Sequence, residues 1–103
     1  MILVDAQCSI VPERLGEFIR ETWKIIPVVR KEAGCSRYEL LSDVWIPGQY
    51  HFIEEWVSKQ HLDDHIVQPH MQEYFAMTTP WHAAPTRMKI YTIRSSQMST
   101  KDT

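Results

Sequence analysis

Two hydrophobic periods take turns along the chain and predict its order of elements. "ILVDAQCSIV" (2–11) sets Ile2, Val4, Ala6, Cys8 and Ile10 on one face and Leu3, Asp5, Gln7, Ser9 and Val11 on the other, the period of a strand, expected to be central. Pro12 presets a first helical turn, after which Leu15, Phe18, Ile19, Trp23 and Ile26 recur at helical spacing and predict one apolar face. Pro27 lacks an amide donor and crowds the preceding turn, so a kink or break is expected near Ile26. Gly34 is placed to end the segment as a left-handed cap.

"CSRYELLSD" alternates again as a second strand, and Pro47-Gly48 suits the centre of a type II turn that returns the chain as "YHFIEEWV". Ser58 can cap the next helix, in which Leu62 and Ile66 form an apolar pair and His61, Asp63 and Asp64 are expected to look outward. Pro69 breaks that helix and can begin another carrying Met71, Tyr74, Phe75 and Thr78 on one side. "TRMKIYTI" is a last strand. Residues 1–95 form one domain, and 96–103 read as a polar tail with no reason to pack.

The order β-α-β-β-α-β is the split βαβ, an α+β ferredoxin-like arrangement: a four-stranded antiparallel sheet with helices on one face. Its usual strand order, 4-1-3-2, separates the first and second strands by roughly 10 Å, too far for Cys8 and Cys35 to bridge. Helices on one face leave the other uncovered. Such a face marks an interface, so a homodimer packed through its sheets, a dimeric α/β barrel-like assembly, is expected.

Composition narrows the functional classes. The chain has 103 residues, 44% of them hydrophobic, enough for one core without disulfides or a structural metal. A net charge of −2 offers no basic field for nucleic acid or anionic lipid. "MILVDAQCSIV" has no basic leader and is interrupted by Asp5 and Gln7, so neither a signal peptide nor a membrane span is expected and the protein reads as cytoplasmic.

"IIPVVRKEAGCSRYELLSD", followed by "FIEEWVSKQHLDDHIVQPHMQEYF" and a closing strand, resembles the antibiotic biosynthesis monooxygenase superfamily over about residues 2 to 93, and most of all its quinol monooxygenase branch. The matching features are Gly34-Cys35 after a helix, Glu54-x-Trp56 on the third strand, and His65 with Pro69-His70. The resemblance implies a dimer of this fold and, as in several members, oxygenation of an electron-rich aromatic by O2 with neither metal nor flavin. No cofactor is therefore expected.

Such chemistry needs a base, an apolar wall and hydrogen-bond donors. Histidine, with an ordinary pKa of about 6.5, can take a phenolic proton at neutral pH, and the family pattern points to His65 and His70. Trp56 shares a face with Phe52 and Glu54; it is either a stacking surface for an aromatic or a core residue. Glu54, directed toward a core, must be paired, through a histidine or through Arg37 on the neighbouring strand. Met71, Tyr74 and Phe75 would complete an apolar wall, and Gln7 could make a polar contact.

Other functions compete. His61 and His65 lie one turn apart beside Asp64, but a zinc site wants three or four ligands and no HExxH glutamate is present. Relatives of this fold hold haem through a histidine whose position here falls near Phe75, and His70 would serve only in a shifted register. A non-enzymatic small-ligand binder, or an isomerase of a small phosphorylated ketone, is a further alternative. A phosphorylated substrate would want Arg37 or Arg87 at the pocket wall, whereas a quinol wants apolar walls.

Overall fold

The computed structural model describes residues 1–101. Strands β1 (Ile2–Ser9), β2 (Cys35–Ser42), β3 (Gln49–Trp56) and β4 (Arg87–Thr92) form one antiparallel sheet in the order β2-β3-β1-β4. Helices α1 (Leu15–Val29), α2 (Lys59–Ile66) and α3 (Pro69–Thr78) join them, with short 3₁₀ turns at Pro12–Arg14 and Thr79–Trp81. The fold is the expected ferredoxin-like α+β arrangement. After Thr92 no helix or strand occurs up to Lys101; the last two residues of the expected tail, Asp102 and Thr103, lie outside the described residues.

The alternation in β1 decides which side holds the core. Ile2, Val4, Ala6, Cys8 and Ile10 are all buried and join Phe52, Trp56 and Tyr38 from the neighbouring strands beneath the helices. Register follows: Val4 pairs with Glu54 on one side and Ile90 on the other, and Tyr38 pairs with Glu54. The hairpin closes as expected, with Gln49 N donating to Ile46 O at 3.2 Å across Pro47-Gly48 and Gly48 at φ +80°. Both cysteines are free.

Four expectations are corrected. Helix α1 is not broken at Ile26 but runs through Pro27 to Val29; the proline forgoes its own amide hydrogen bond, and the helix ends two residues after it. Its buried face is Phe18, Thr22 and Val29, leaving Trp23 76% exposed and Ile19 43% exposed; Thr22, although polar, turns inward because its hydroxyl meets the Tyr74 hydroxyl on α3 at 2.5 Å. Gly34 does not cap α1, which ends five residues earlier. Its positive φ instead shapes the turn into β2, where Val57 N donates to Gly34 O at 2.8 Å and the His61 ring packs over the glycine. His61 therefore faces inward over that turn, bonded to Ser58 at 2.7 Å, and only partly looks outward.

The uncovered sheet face is mixed, not apolar. Leu3, Leu41, Ile53 and Tyr91 alternate there with Asp5–His51 at 2.8 Å and with Arg37, which pairs with Glu39 at 3.0 Å and Glu55 at 3.4 Å. On the helix side, β4 extends past the helices: Met88 and Ile90 are 48% and 44% exposed. This uncovered margin is where the interior opens.

A methyl group at position 34 would stand 2.8 Å from His61 Cβ, overlap its ring and occupy a left-handed backbone. Gly34→Ala is expected to lower stability by about 2–3 kcal/mol in a denaturant titration. Gly16, which has nothing within 4 Å of a built Cβ and lies in a helix, should gain about 0.5–1 kcal/mol on conversion to alanine.

Candidate active site

The site begins with the inward residues of β3, Phe52, Glu54 and Trp56. Trp56 is wholly buried, and its indole Nε1 donates to Glu54 Oε1 at 2.9 Å. On its other side the ring lies against the His65 imidazole, with centroids 4.6 Å apart and planes inclined by 34°. Leu62 and His65, one turn apart on α2, are that helix's two buried residues, so the helical period turns the imidazole onto the sheet.

His65 Nδ1 faces Glu32, in the turn between α1 and β2, at 3.0 Å from each carboxylate oxygen. A carboxylate can only accept, so Nδ1 carries the proton and Nε2 presents its lone pair. His70 Nε2 meets the same carboxylate at 2.8 Å. Glu32 thus joins the two histidines. Sequence reading missed it because nothing in "RKEAG" distinguishes a bridging glutamate from a surface one.

Beside this cluster lies a cavity of about 630 Å³, in the range of small-molecule sites. Its walls include Phe18, Tyr38, Phe52, Glu54, His65, Tyr74 and Phe75, and its mouth is formed by His82 to Thr86 and Met88. None of the lining residues is Lys or Arg. His65 Nε2, the second oxygen of Glu54 and the Tyr38 hydroxyl make no hydrogen bond among the described residues, and no sealed side-chain N or O there lacks a partner. These three atoms are therefore open to the cavity their residues line.

Burial sets the electrostatics. It lowers the His65 pKa below 6.5, against the raising effects of the Glu32 hydrogen bond and charge, so the ring is neutral at pH 7. Burial also drives Glu54 up to about 7, opposed by the Trp56 hydrogen bond and assisted by the Glu32 charge. Tyr38 is raised by burial and then by the Glu54 charge. His82 at the mouth is lowered by burial and was not singled out in the sequence, where it sits outside any periodic segment.

The residues named from sequence divide into three groups. His65, Glu54, Phe52, Tyr74 and Phe75 line the cavity. Trp56, His70 and Met71 stand behind it: Trp56 and Met71 are fully buried in the core, and His70 reaches the site only through Glu32. Gln7 and Arg37 lie on the opposite face of the sheet, because strand alternation sends them away from Ala6 and Tyr38. Glu54 accordingly pairs with neither Arg37 nor a histidine; its partner is Trp56.

The antibiotic biosynthesis monooxygenase family model matches residues 1–77, and the chain belongs to that family. It is 37% identical over 59 residues to "Probable quinol monooxygenase YgiN" of Escherichia coli, covering 50% of this chain and 57% of that protein. An uncharacterized Synechocystis protein is 29% identical over 96 residues, 93% of this chain and 65% of that protein. The chain thus spans less than two thirds of both relatives. A conserved protein of Methanosarcina mazei Go1 superposes with a TM-score of 0.84 at 30% identity, over 87% of this chain and 89% of that one. No helix among the described residues is long and apolar enough to cross a membrane.

Glu54 binds its proton more tightly in the folded protein than in the unfolded chain, so its stabilising contribution is complete below pH 4.5 and is lost as the pH rises to about 7. Compared with Glu54→Gln, the parent protein should lose about 3 kcal/mol of unfolding free energy between pH 4.5 and 8. Urea titrations at several pH values check this; parallel pH profiles for the two proteins would refute it.

Proposed function

We propose that the protein is a monooxygenase that oxidises a quinol or polyhydroxylated aromatic with O2, without metal or flavin, and that His65 is its base. One observation carries this reading: a buried, neutral imidazole is held at Nδ1 by Glu32 and opens at Nε2 on an apolar cavity. The family and the resemblance to a protein named for quinol oxidation support the same chemistry.

His65 Nε2 takes the proton of a ring hydroxyl, and Glu32 stabilises the imidazolium that forms. The resulting phenolate is a far better electron donor than the phenol. It gives one electron to O2, the semiquinone and superoxide radicals join at a ring carbon bearing hydrogen, and a proton completes the hydroperoxide. That carbon then loses its hydrogen as the O–O bond breaks, leaving a carbonyl and one water. The substrate supplies all four electrons that O2 accepts, so no external reductant is consumed. Phe18, Phe52 and Phe75 give the ring apolar walls and keep water from the radical pair.

The competing readings fit this cavity less well. A phosphorylated ketone would find no cation among the lining residues, since Arg37 and Arg87 belong to the opposite face of the sheet. Haem would find Phe75 at the expected ligand position, with His70 engaged by Glu32 outside the cavity. We further propose a cytoplasmic homodimer packed through the open sheet face, where Leu3, Leu41, Ile53 and Tyr91 would be covered.

Oxygen uptake by metal-stripped protein given a panel of hydroquinones, corrected for autoxidation, tests the reading. His65→Ala should lower kcat by about 100-fold or more. The activity of the parent should fall on acidification through a pKa below 6.5, and Glu32→Gln should move that limb lower, because it removes the interactions that raise His65. A folded His65→Ala protein with full turnover would exclude His65 as the base.

A further inference from the structure

A carboxyl group so placed that one oxygen is engaged and the other looks into an apolar cavity is unusual. Glu54 is 5% exposed, has Oε1 fixed by the Trp56 indole, and lines the cavity with its second oxygen unpartnered among the described residues. No cation answers it. Its strand partners are Tyr38 on β2 and Val4 on β1, the Glu32 charge acts on it from before β2 and its own charge acts on Cys35, and His65 on α2 and Tyr74 on α3 line the same cavity. Water in such a place would have few partners, whereas a ligand oxygen would have a ready one.

From this geometry we infer that the free oxygen of Glu54 donates a hydrogen bond to a second oxygen of the substrate, so that the cavity selects aromatics carrying a hydroxyl for His65 and a carbonyl or hydroxyl for Glu54. The inference rests on the proposed function for the partner of His65, and it adds a specificity-determining residue and a two-oxygen substrate class. Its sense is fixed by chemistry. An ionised carboxylate would repel a phenolate formed at His65 and could not hydrogen-bond a carbonyl, while the protonated group can do the second without the first. Burial, which drives Glu54 up to about 7, keeps the proton available at neutral pH and below.

The indole completes the device. With Oε1 accepting from Trp56 Nε1, the acidic proton resides on the other oxygen, aimed at the cavity. Trp56 also backs the His65 ring. One buried side chain therefore orients both the proton acceptor and the proton donor of the site, although it touches no substrate itself.

Binding without turnover separates this inference from the oxygenase reading. The probes are 7-hydroxy-1-tetralone, which has a ketone and a phenol meta to the acyl-bearing carbon and so un-ionised over the range used, and 5,6,7,8-tetrahydro-2-naphthol, the same skeleton without the ketone. Neither is a hydroquinone. Their Kd values, measured by calorimetry from pH 5.5 to 8.5, should differ by about tenfold in favour of the ketone at pH 6, the worth of one good hydrogen bond. That preference should fade above pH 7 as Glu54 loses its proton.

Glu54→Gln retains a donor that does not titrate and should keep the preference across the whole range. Glu54→Leu, which has no donor, should abolish the preference. His65→Ala should weaken both probes equally. Equal affinity of the parent protein for the two probes at pH 6, or a preference that survives in Glu54→Leu, would overturn the role given to Glu54, as would failure of the ketone probe to bind. A clear preference in a protein that consumes no oxygen with any hydroquinone would instead remove the oxygenase reading and leave the two-oxygen site standing.

Discussion

Trp56 is the contact on which the site depends. It is buried to zero exposure at the end of β3, its indole nitrogen engages Glu54, and its face lies against His65, which is held from the far side by Glu32. The order Glu32, His65, Trp56, Glu54 runs from the α1–β2 turn, through α2, to the sheet. Two ionisable groups can remain buried here because each has one polar partner of fixed direction. Their remaining polar atoms open on the cavity and are not sealed in the core.

The layered fold supplies the rest. Helices over one face of a four-stranded sheet cover β2, β3 and β1 well, and the core accordingly gathers under Phe18, Leu62, Met71 and Tyr74. The margin along β4 is left short of cover, so the sheet's own inner face becomes one wall of an opening. The cavity is thus a consequence of where the helices stop. Its apolar character follows from the same alternation that builds the core, which explains why the residues lining it are hard to tell from core residues by pattern. Thr22 shows the converse case, a polar side chain drawn into the interior by the Tyr74 hydroxyl.

Several surface features now have a local account. Asp43 organises the β2–β3 turn by accepting from the amides of Trp45 and Ile46 at 2.8 and 3.0 Å, which lowers its pKa and holds Trp45 88% exposed at the tip. Arg37 is committed to Glu39 and Glu55, so it is part of a surface charge network and not of the cavity. Such exposed pairs contribute little to stability, but they do fix which charges the open sheet face presents.

What the sequence by itself determined was periodic: the element order, the strand order that follows from it, the hairpin turn at Pro47-Gly48, and the inward set of β1, because spacing along a chain maps directly onto the faces of strands and helices. It also placed Phe52, Glu54 and Trp56 on one face and brought forward His65. The tertiary structure alone decided the rest. Which face of α1 is buried depended on the Tyr74 hydroxyl 52 residues away from Thr22, and the bridging of His65 and His70 depended on Glu32, more than thirty residues before either. Whether Trp56 lines a cavity or backs it, and whether Glu54 meets a cation or an indole, were likewise set by contacts between elements. Such contacts join residues with no common period, and a linear pattern records only the period.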